Sequence, residues 1–162
     1  GKQPIDIMPG LAKYCDVVMG NLWSANIMLG IPIDDALVKT DSKKAYLEQA
    51  VNTSKAIQDR FPKVKTVANT FRFDRNEGIQ YYTALYSGEL FVSAEYNSDK
   101  VLDKVGSGDC FMAGLIYGMS NDHTPQQTLD FATSAAYNKL FIKGDTTNQT
   151  ANDIKSTIKH AG

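Results

Sequence analysis

The sequence has few cysteines and no apolar run long enough to cross a membrane. Two cysteines, Cys15 and Cys110, in 162 residues are too few for a disulfide framework, which favours a reducing compartment. The apolar stretches are short, and the first residues do not resemble a secretory signal. We therefore expect a cytoplasmic protein that does not bind membranes.

The sequence also lacks a basic stripe and a metal-ligand cluster. Its 17 basic and 18 acidic residues are scattered, so nothing indicates binding to nucleic acid. The two histidines, His123 and His160, lie far from each other and from the cysteines, which argues against a zinc site. With 43% hydrophobic and 22% charged residues, the composition is that of one folded globular domain.

One stretch carries the clearest chemical signal. It reads Asp103-Lys104-Val105-Gly106-Ser107-Gly108-Asp109, and an apolar run with helical spacing follows it. Glycines on both sides of a serine allow a tight turn, and the amides that begin the helix would then form an anion site. Asp109 would repel a phosphate there unless it accepts a proton from a nucleophile, so the pattern indicates phosphoryl transfer. The alternative is an ordinary helix start that Ser107 or Asp109 caps.

The remaining pattern predicts alternating helices and strands. We expect strands over 16–21 and 64–70, a turn after Phe73, and an antiparallel hairpin of residues 80–86 and 89–94. Helices are predicted over 22–30, from the capping residues 40–42 to Phe61, and from Thr124 to about Gly144. A strand, helix, strand order implies a parallel sheet. Asn21, at the end of the first strand, is either a ligand contact or the cap of the following helix.

Three segments in the right order resemble one family. Residues 106–109, with 113–116 at the right spacing, resemble the C-terminal signature of the ribokinase-like (PfkB) carbohydrate kinases. The helix that contains Phe131 and Ala132 and ends at Gly144 resembles the segment that follows it, and residues 16–21 resemble the family's mid-chain strand. Within the family, residues 103–109, residues 67–72 and the pair Gly144-Asp145 are most similar to 2-keto-3-deoxygluconate kinases.

The resemblance implies a fold and its extent. It implies the three-layer, Rossmann-like α/β fold of these kinases, with a mainly parallel sheet and an antiparallel hairpin. It covers nearly all of this chain but only the second half of the family's length. Residues 1–162 are therefore expected to be the nucleotide-binding and catalytic portion of a sugar kinase, without its N-terminal half and lid. An exposed strand edge left by that absence would favour self-association into a homo-oligomer.

The resemblance also implies an activity. The full-length protein would transfer phosphate from ATP, with Mg²⁺, to a sugar or sugar acid, most simply 2-keto-3-deoxygluconate, and the isolated chain would be inactive. Where the family has Asn-x-x-Glu near the metal, this chain has Ser24 in place of the glutamate, which puts metal placement in doubt. The competing interpretation is a non-catalytic module that binds a nucleotide or another anion.

Residue roles follow from the same resemblance. Asp109 would be the general base, and the amides of Gly106, Ser107 and Gly108 would stabilise the transferred phosphoryl group. The expected nucleotide contacts are Asn21, Thr70, Arg72, Thr133 and Gly144. For Arg72 the alternative is an exposed loop arginine, and for Thr133 it is ordinary core packing.

Overall fold

The computed structural model describes residues 1–160, which form a mixed α/β fold. The α-helices are α1 (Pro4–Ala12), α2 (Leu22–Leu29), α3 (Lys43–Arg60), α4 (Ser107–Ser120), α5 (Pro125–Lys139) and α6 (Ala151–Ser156). The strands are β1 (Val17–Gly20), β2 (Thr66–Arg75), β3 (Gly78–Ser87), β4 (Glu89–Val92) and β5 (Tyr96–Ser98). A 3₁₀ turn covers Asp35–Lys39. Within the described residues, each helix is too short or too polar to span a bilayer.

The five strands form one sheet with both parallel and antiparallel pairs. Its order is β1, β2, β3, β4, and β5 pairs with β3. β1 runs parallel to β2, with Val17 opposite Thr66, whereas β5 runs antiparallel to β3, with Ile79 opposite Ser98. The α/β fold class expected from the sequence is confirmed, and the sheet is mixed.

The chain divides into two compact units, of which the first comprises residues 1–69 and 84–90. Asn21 caps α2 by accepting a hydrogen bond from the Ser24 amide at 2.7 Å, and Ser42 caps α3. Both helix starts agree with the sequence prediction. The core of this unit includes Leu29, Ile57, Phe61, Val64 and Val67, all buried.

The second unit comprises residues 70–83 and, of the described chain, 91–160, and its helices α4 and α5 pack closely. A Cβ atom added at Gly114 of α4 would lie 2.5 Å from the Cα atom of Ala132 in α5, so only glycine allows this approach. α5 begins with the predicted capping box of Thr124 and Gln127 and with a proline at its first position. The close packing of α4 on α5 therefore fixes the position at which α4 begins.

Three elements differ from the sequence prediction. β2 continues to Arg75, so the predicted turn lies at Asn76 and Glu77 rather than directly after Phe73. Phe71 and Phe73 stack on Tyr82, with ring centroids 4.7 and 6.1 Å apart, and extend the strand. The helix expected to reach about Gly144 ends at Lys139, and the residues after it turn back. The three-residue strand β5 was not predicted, because it is too short to show a periodic pattern.

Candidate active site

The turn before α4 adopts a conformation that requires glycine. Gly106 is the N-terminal cap of α4 with φ of 76° and ψ of −5°, in the left-handed region. A Cβ atom at this position would also overlap the carbonyl oxygen of Asp145. The left-handed backbone and this close approach together set the direction in which α4 begins.

The first turn of α4 has no side-chain cap. Ser107 is buried, and its hydroxyl donates instead to the Lys104 carbonyl oxygen at 3.1 Å. The alternative from the sequence, a helix start capped by Ser107 or Asp109, is therefore not what the structure contains. The amides of the first turn have no partner within the helix and lie at the positive end of its dipole. This arrangement suits an anion.

Asp109 lies in that same first turn, and both Gly108 and Asp109 are exposed. The carboxylate therefore stands at the edge of the amide cluster, where it is open to a ligand. A carboxylate in this place can accept a proton from a hydroxyl group that approaches an anion bound to the amides. Gly106, Ser107, Gly108 and Asp109 therefore form the cap and first turn of α4, and their catalytic roles stay a prediction.

Asp103 ties this turn to the segment that follows α5. Its Oδ1 atom accepts from the Val105 amide at 3.0 Å, and its Oδ2 atom accepts from the Gly144 amide at 2.9 Å. These two hydrogen bonds hold the pKa of the Asp103 carboxyl below its usual range. This role of Asp103 was not predicted from the sequence, although an aspartate at the start of a turn often accepts from the amide two residues further on. The Gly144 amide, predicted to lie at the nucleotide, is bonded to Asp103.

An apolar cavity of about 240 Å³ adjoins the amide cluster. Its wall includes Cys110, which follows Asp109 in α4, together with Ala113, Ala135 and Gln149. Burial raises the pKa of the Cys110 thiol, so this side chain is a neutral packing group. The Oε1 atom of Gln149 is buried and has no hydrogen-bond partner among the described residues. The lining also contains the rings of Tyr117 and Phe131, and such an apolar wall with one unpaired acceptor suits a flat heteroaromatic ring with an amino group.

Thr133 does not line this cavity. It is fully buried, and its hydroxyl is 2.7 Å from the Leu129 carbonyl oxygen and 2.5 Å from the Thr83 hydroxyl. These contacts favour core packing, the alternative considered for this helix. Ala135, two residues further along α5, reaches the cavity instead.

Arg72 and Thr70 lie on β2 rather than in a loop. Arg72 is exposed, and its Nε atom is 3.9 Å from the Asp74 carboxylate. The same carboxylate is 2.9 Å from the Nζ atom of Lys104, which belongs to the turn before α4. Asp74 thus places two cations close together, a pattern that the sequence did not reveal.

Asn21 belongs to the first unit, where its side chain caps α2. The capping alternative is therefore observed, and a nucleotide contact at Asn21 stays a prediction.

No group of three or more His, Cys, Asp or Glu side chains within residues 1–160 could hold a metal ion. Binding of Mg²⁺ together with nucleotide phosphates stays a prediction.

The fold and the site together indicate a class of protein. An uncapped helix start beside an exposed carboxylate, in a mixed α/β fold, is compatible with a protein that binds phosphate groups. The family model of the pfkB family carbohydrate kinases matches residues 6–151. The chain belongs to the pfkB family of carbohydrate kinases.

Solved structures support this fold. The 2-dehydro-3-deoxygluconokinase of Thermotoga maritima is similar, with a TM-score of 0.82 and 24% identity, over 94% of this chain and 44% of that one. A proposed ribokinase II from E. coli, in complex with ATP and Mg²⁺, gives a TM-score of 0.64 and 16% identity over 94% and 44% of the two chains. At these identities the likeness shows the fold alone.

One sequence relative is also similar. An uncharacterized sugar kinase of Dictyostelium discoideum is 37% identical over 71 residues, which is 43% of this chain and 20% of the relative. The chain thus spans less than half the length of the relatives described here.

Proposed function

We propose that this chain is the ATP-binding and catalytic portion of a sugar kinase. The whole protein would transfer the γ-phosphoryl group of ATP to a hydroxyl group of a sugar acid. The observation that carries the proposal is the start of α4, where uncapped amides, an exposed Asp109 and an adjoining apolar cavity lie together. The family and the fold support it.

The residues divide the chemistry between them. Asp109 accepts the proton of the attacking hydroxyl group, a contribution of about 10²–10⁴-fold in rate. The new oxygen–phosphorus bond forms as the bond to the leaving ADP oxygen breaks. The amides of Gly106, Ser107 and Gly108 stabilise the charge on the transferred group, and one such donor is worth about 3 kcal/mol in a dry site.

The described residues fit a nucleoside triphosphate. We place the phosphates at the first turn of α4 and the adenine ring in the cavity, where Gln149 Oε1 accepts from its amino group. Thr70, Arg72 and Asn21 remain proposed further contacts, whereas Gly144 acts through its bond to Asp103. Bound Mg²⁺ supplies charge neutralisation on the phosphates.

The proposed acceptor is 2-keto-3-deoxygluconate. Support comes from the resemblance of residues 103–109 and 67–72 to kinases of this sugar acid, and from the fold shared with the Thermotoga maritima enzyme. The sugar contacts and a lid would come from a part of the kinase that this chain does not include. The chain alone is therefore expected to bind ATP without turnover.

The test is ADP formation with 2-keto-3-deoxygluconate as acceptor. We would compare this chain with the same chain extended at its N-terminus by the segment that a relative carries there. The extended form should be active, and Asp109→Asn in it should lower kcat at least about 10²-fold and leave the Kd for ATP nearly unchanged. Near-normal turnover by the Asn variant would disprove the base assignment.

The competing function, a non-catalytic module that binds nucleotide, makes a different prediction. It requires that the extended form binds ATP but makes no ADP with any sugar or sugar acid. Ribose and gluconate serve as comparison acceptors. Faster ADP formation with either of them would show that the preferred substrate is another sugar and not 2-keto-3-deoxygluconate.

A further inference from the structure

Lys139, the last residue of α5, is fully buried. No other lysine or arginine in residues 1–160 is buried. Its Nζ atom donates a hydrogen bond to the Ile142 carbonyl oxygen at 2.8 Å. Burial of an ammonium group is costly unless hydrogen bonds and an opposite charge compensate it, so its surroundings must supply both.

The Asp103 carboxylate supplies opposite charge beside the segment that follows Lys139, because its Oδ2 atom accepts from the Gly144 amide at 2.9 Å. The pKa of this carboxyl is lowered first by the amides of Val105 and Gly144, and the charge of Lys139 lowers it further. Lys139 also acts on α4, because its charge partly offsets the burial that raises the pKa of Cys110. The charge of Lys139 thus influences both the turn before α4 and the first turn of α4, while its Nζ hydrogen bond goes to Ile142.

The backbone after Lys139 forms the support of that turn. The Leu140 carbonyl oxygen accepts from the Leu102 and Asp103 amides at 2.8 and 3.1 Å. Five residues further on, the Asp145 carbonyl lies against Gly106. Residues 140–145 thus touch the turn at both of its ends, and the bond from Lys139 to Ile142 fixes the middle of this segment.

We propose that Lys139 is a positioning residue for the anion site, an internal cation that holds residues 140–145 against residues 102–106 and so aims the α4 amides at phosphate. This role rests on the proposed function, because it assumes that the amides bind the phosphates of ATP. Because Lys139 is fully buried, it would contact neither nucleotide nor sugar. It acts through Asp103 and the backbone.

The first test needs no ligand. Amide hydrogen exchange is measured on this chain, on Lys139→Met, and on Lys143→Met, which removes an exposed lysine from the same segment. We expect the Val105 and Gly144 amides to exchange at least tenfold faster in Lys139→Met, with α6 unchanged, and no effect of Lys143→Met. Equal exchange at these two amides in all three proteins would overturn the proposal.

The second test compares ligands. Lys139→Met should weaken ATP at least tenfold but leave adenosine within twofold, because adenosine has no phosphate for the amides to hold. Equal weakening of both ligands, or of neither, would overturn the positioning role. If the unsubstituted chain does not bind ATP, the proposed function fails, and the exchange result still decides whether Lys139 holds the turn.

If Lys139→Met does not fold, a second variant takes its place, with a cavity that a small molecule can fill. Lys139→Ala removes the atoms of n-propylammonium, so this amine is added during refolding, with n-propanol as the neutral control of the same shape. Recovery of ATP binding with the amine alone supports the proposal. An equal effect of amine and alcohol, or no effect of either, contradicts it.

Discussion

Gly106 is the residue on which the geometry of the anion site depends most. Gly106→Ala adds a Cβ atom in a left-handed conformation and against the Asp145 carbonyl. Gly88→Ala is the matched control, since Gly88 has φ of 81° but an added Cβ would meet nothing within 4 Å. For Gly88→Ala, the free energy of unfolding should fall only by the conformational penalty of a left-handed alanine, about 1–2 kcal/mol.

Gly106→Ala should lose about 1–3 kcal/mol more than the control, because the backbone must also move away from Asp145. Urea unfolding measures the difference, and only Gly106→Ala should also weaken ATP. Equal losses of stability in the two variants would show that the contact with Asp145 carries no weight.

Among single residues, the sequence identified those whose roles follow from a local motif. Gly106 and Asp109 stand out because a glycine turn and a helix start are encoded by neighbours in the chain. Gln149 and Lys139 gave no such signal. Gln149 reaches the cavity, and Lys139 acts on Asp103, only through the tertiary fold.

The close packing of helices α4 and α5 requires that residue 114 has no side chain, as in Gly114. Alanine normally stabilises a helix by about 1 kcal/mol relative to glycine. At Gly114, however, the added Cβ would lie 2.5 Å from Ala132 Cα, so Gly114→Ala should destabilise the protein by about 1–3 kcal/mol.

Gly10→Ala in α1 is the control for this pair of helices. Nothing lies within 4 Å of an added Cβ there, so the same substitution should be neutral or stabilising. Both variants are measured by thermal unfolding. A stabilised Gly114→Ala protein would mean that α4 and α5 are less closely packed than the structure shows.

The start of α6 should make stability depend on pH. Asp153 accepts from the Thr150 amide at 2.8 Å and from its hydroxyl at 2.7 Å, and these bonds lower the pKa of the Asp153 carboxyl. A lowered pKa contributes stability that is complete above the unfolded value of 3.8 and is lost as pH falls through the folded value.

Asp153→Asn should therefore lower the free energy of unfolding near pH 7 and make it fall less steeply in acid. Urea unfolding between about pH 2 and 7 measures both effects. A difference between the two proteins that stays constant with pH would exclude an ionised Asp153 as the source of this stability.

Helix starts were predictable because capping is local, as at Thr124 and Ser42. The full length of β2 and the presence of β5 were not, because each depends on contacts with a partner strand, β3, rather than on a pattern within its own residues. Phe73 in β2 is held by Tyr82 of β3, and β5 exists through its pairing with β3.

At the scale of the whole molecule, the sequence predicted the fold class and the family, and the structure and the comparisons confirm both. The expected self-association stays a prediction. Its basis in the first unit is the exposure of apolar side chains on α1 and α2, among them Leu11 at 55% and Ile27 at 60%. β1 also stands at the end of the strand order.

The most direct measurement of the central claim is a titration of this chain with ATP, followed by the backbone amide signals of the ¹⁵N-labelled protein. We expect saturable binding, with the largest shifts at residues 106–109 and at the cavity residues Ala113, Ala135 and Gln149. Adenosine should move only the cavity signals. No saturable binding, or shifts confined to other parts of the chain, would contradict the assignment of this site to ATP.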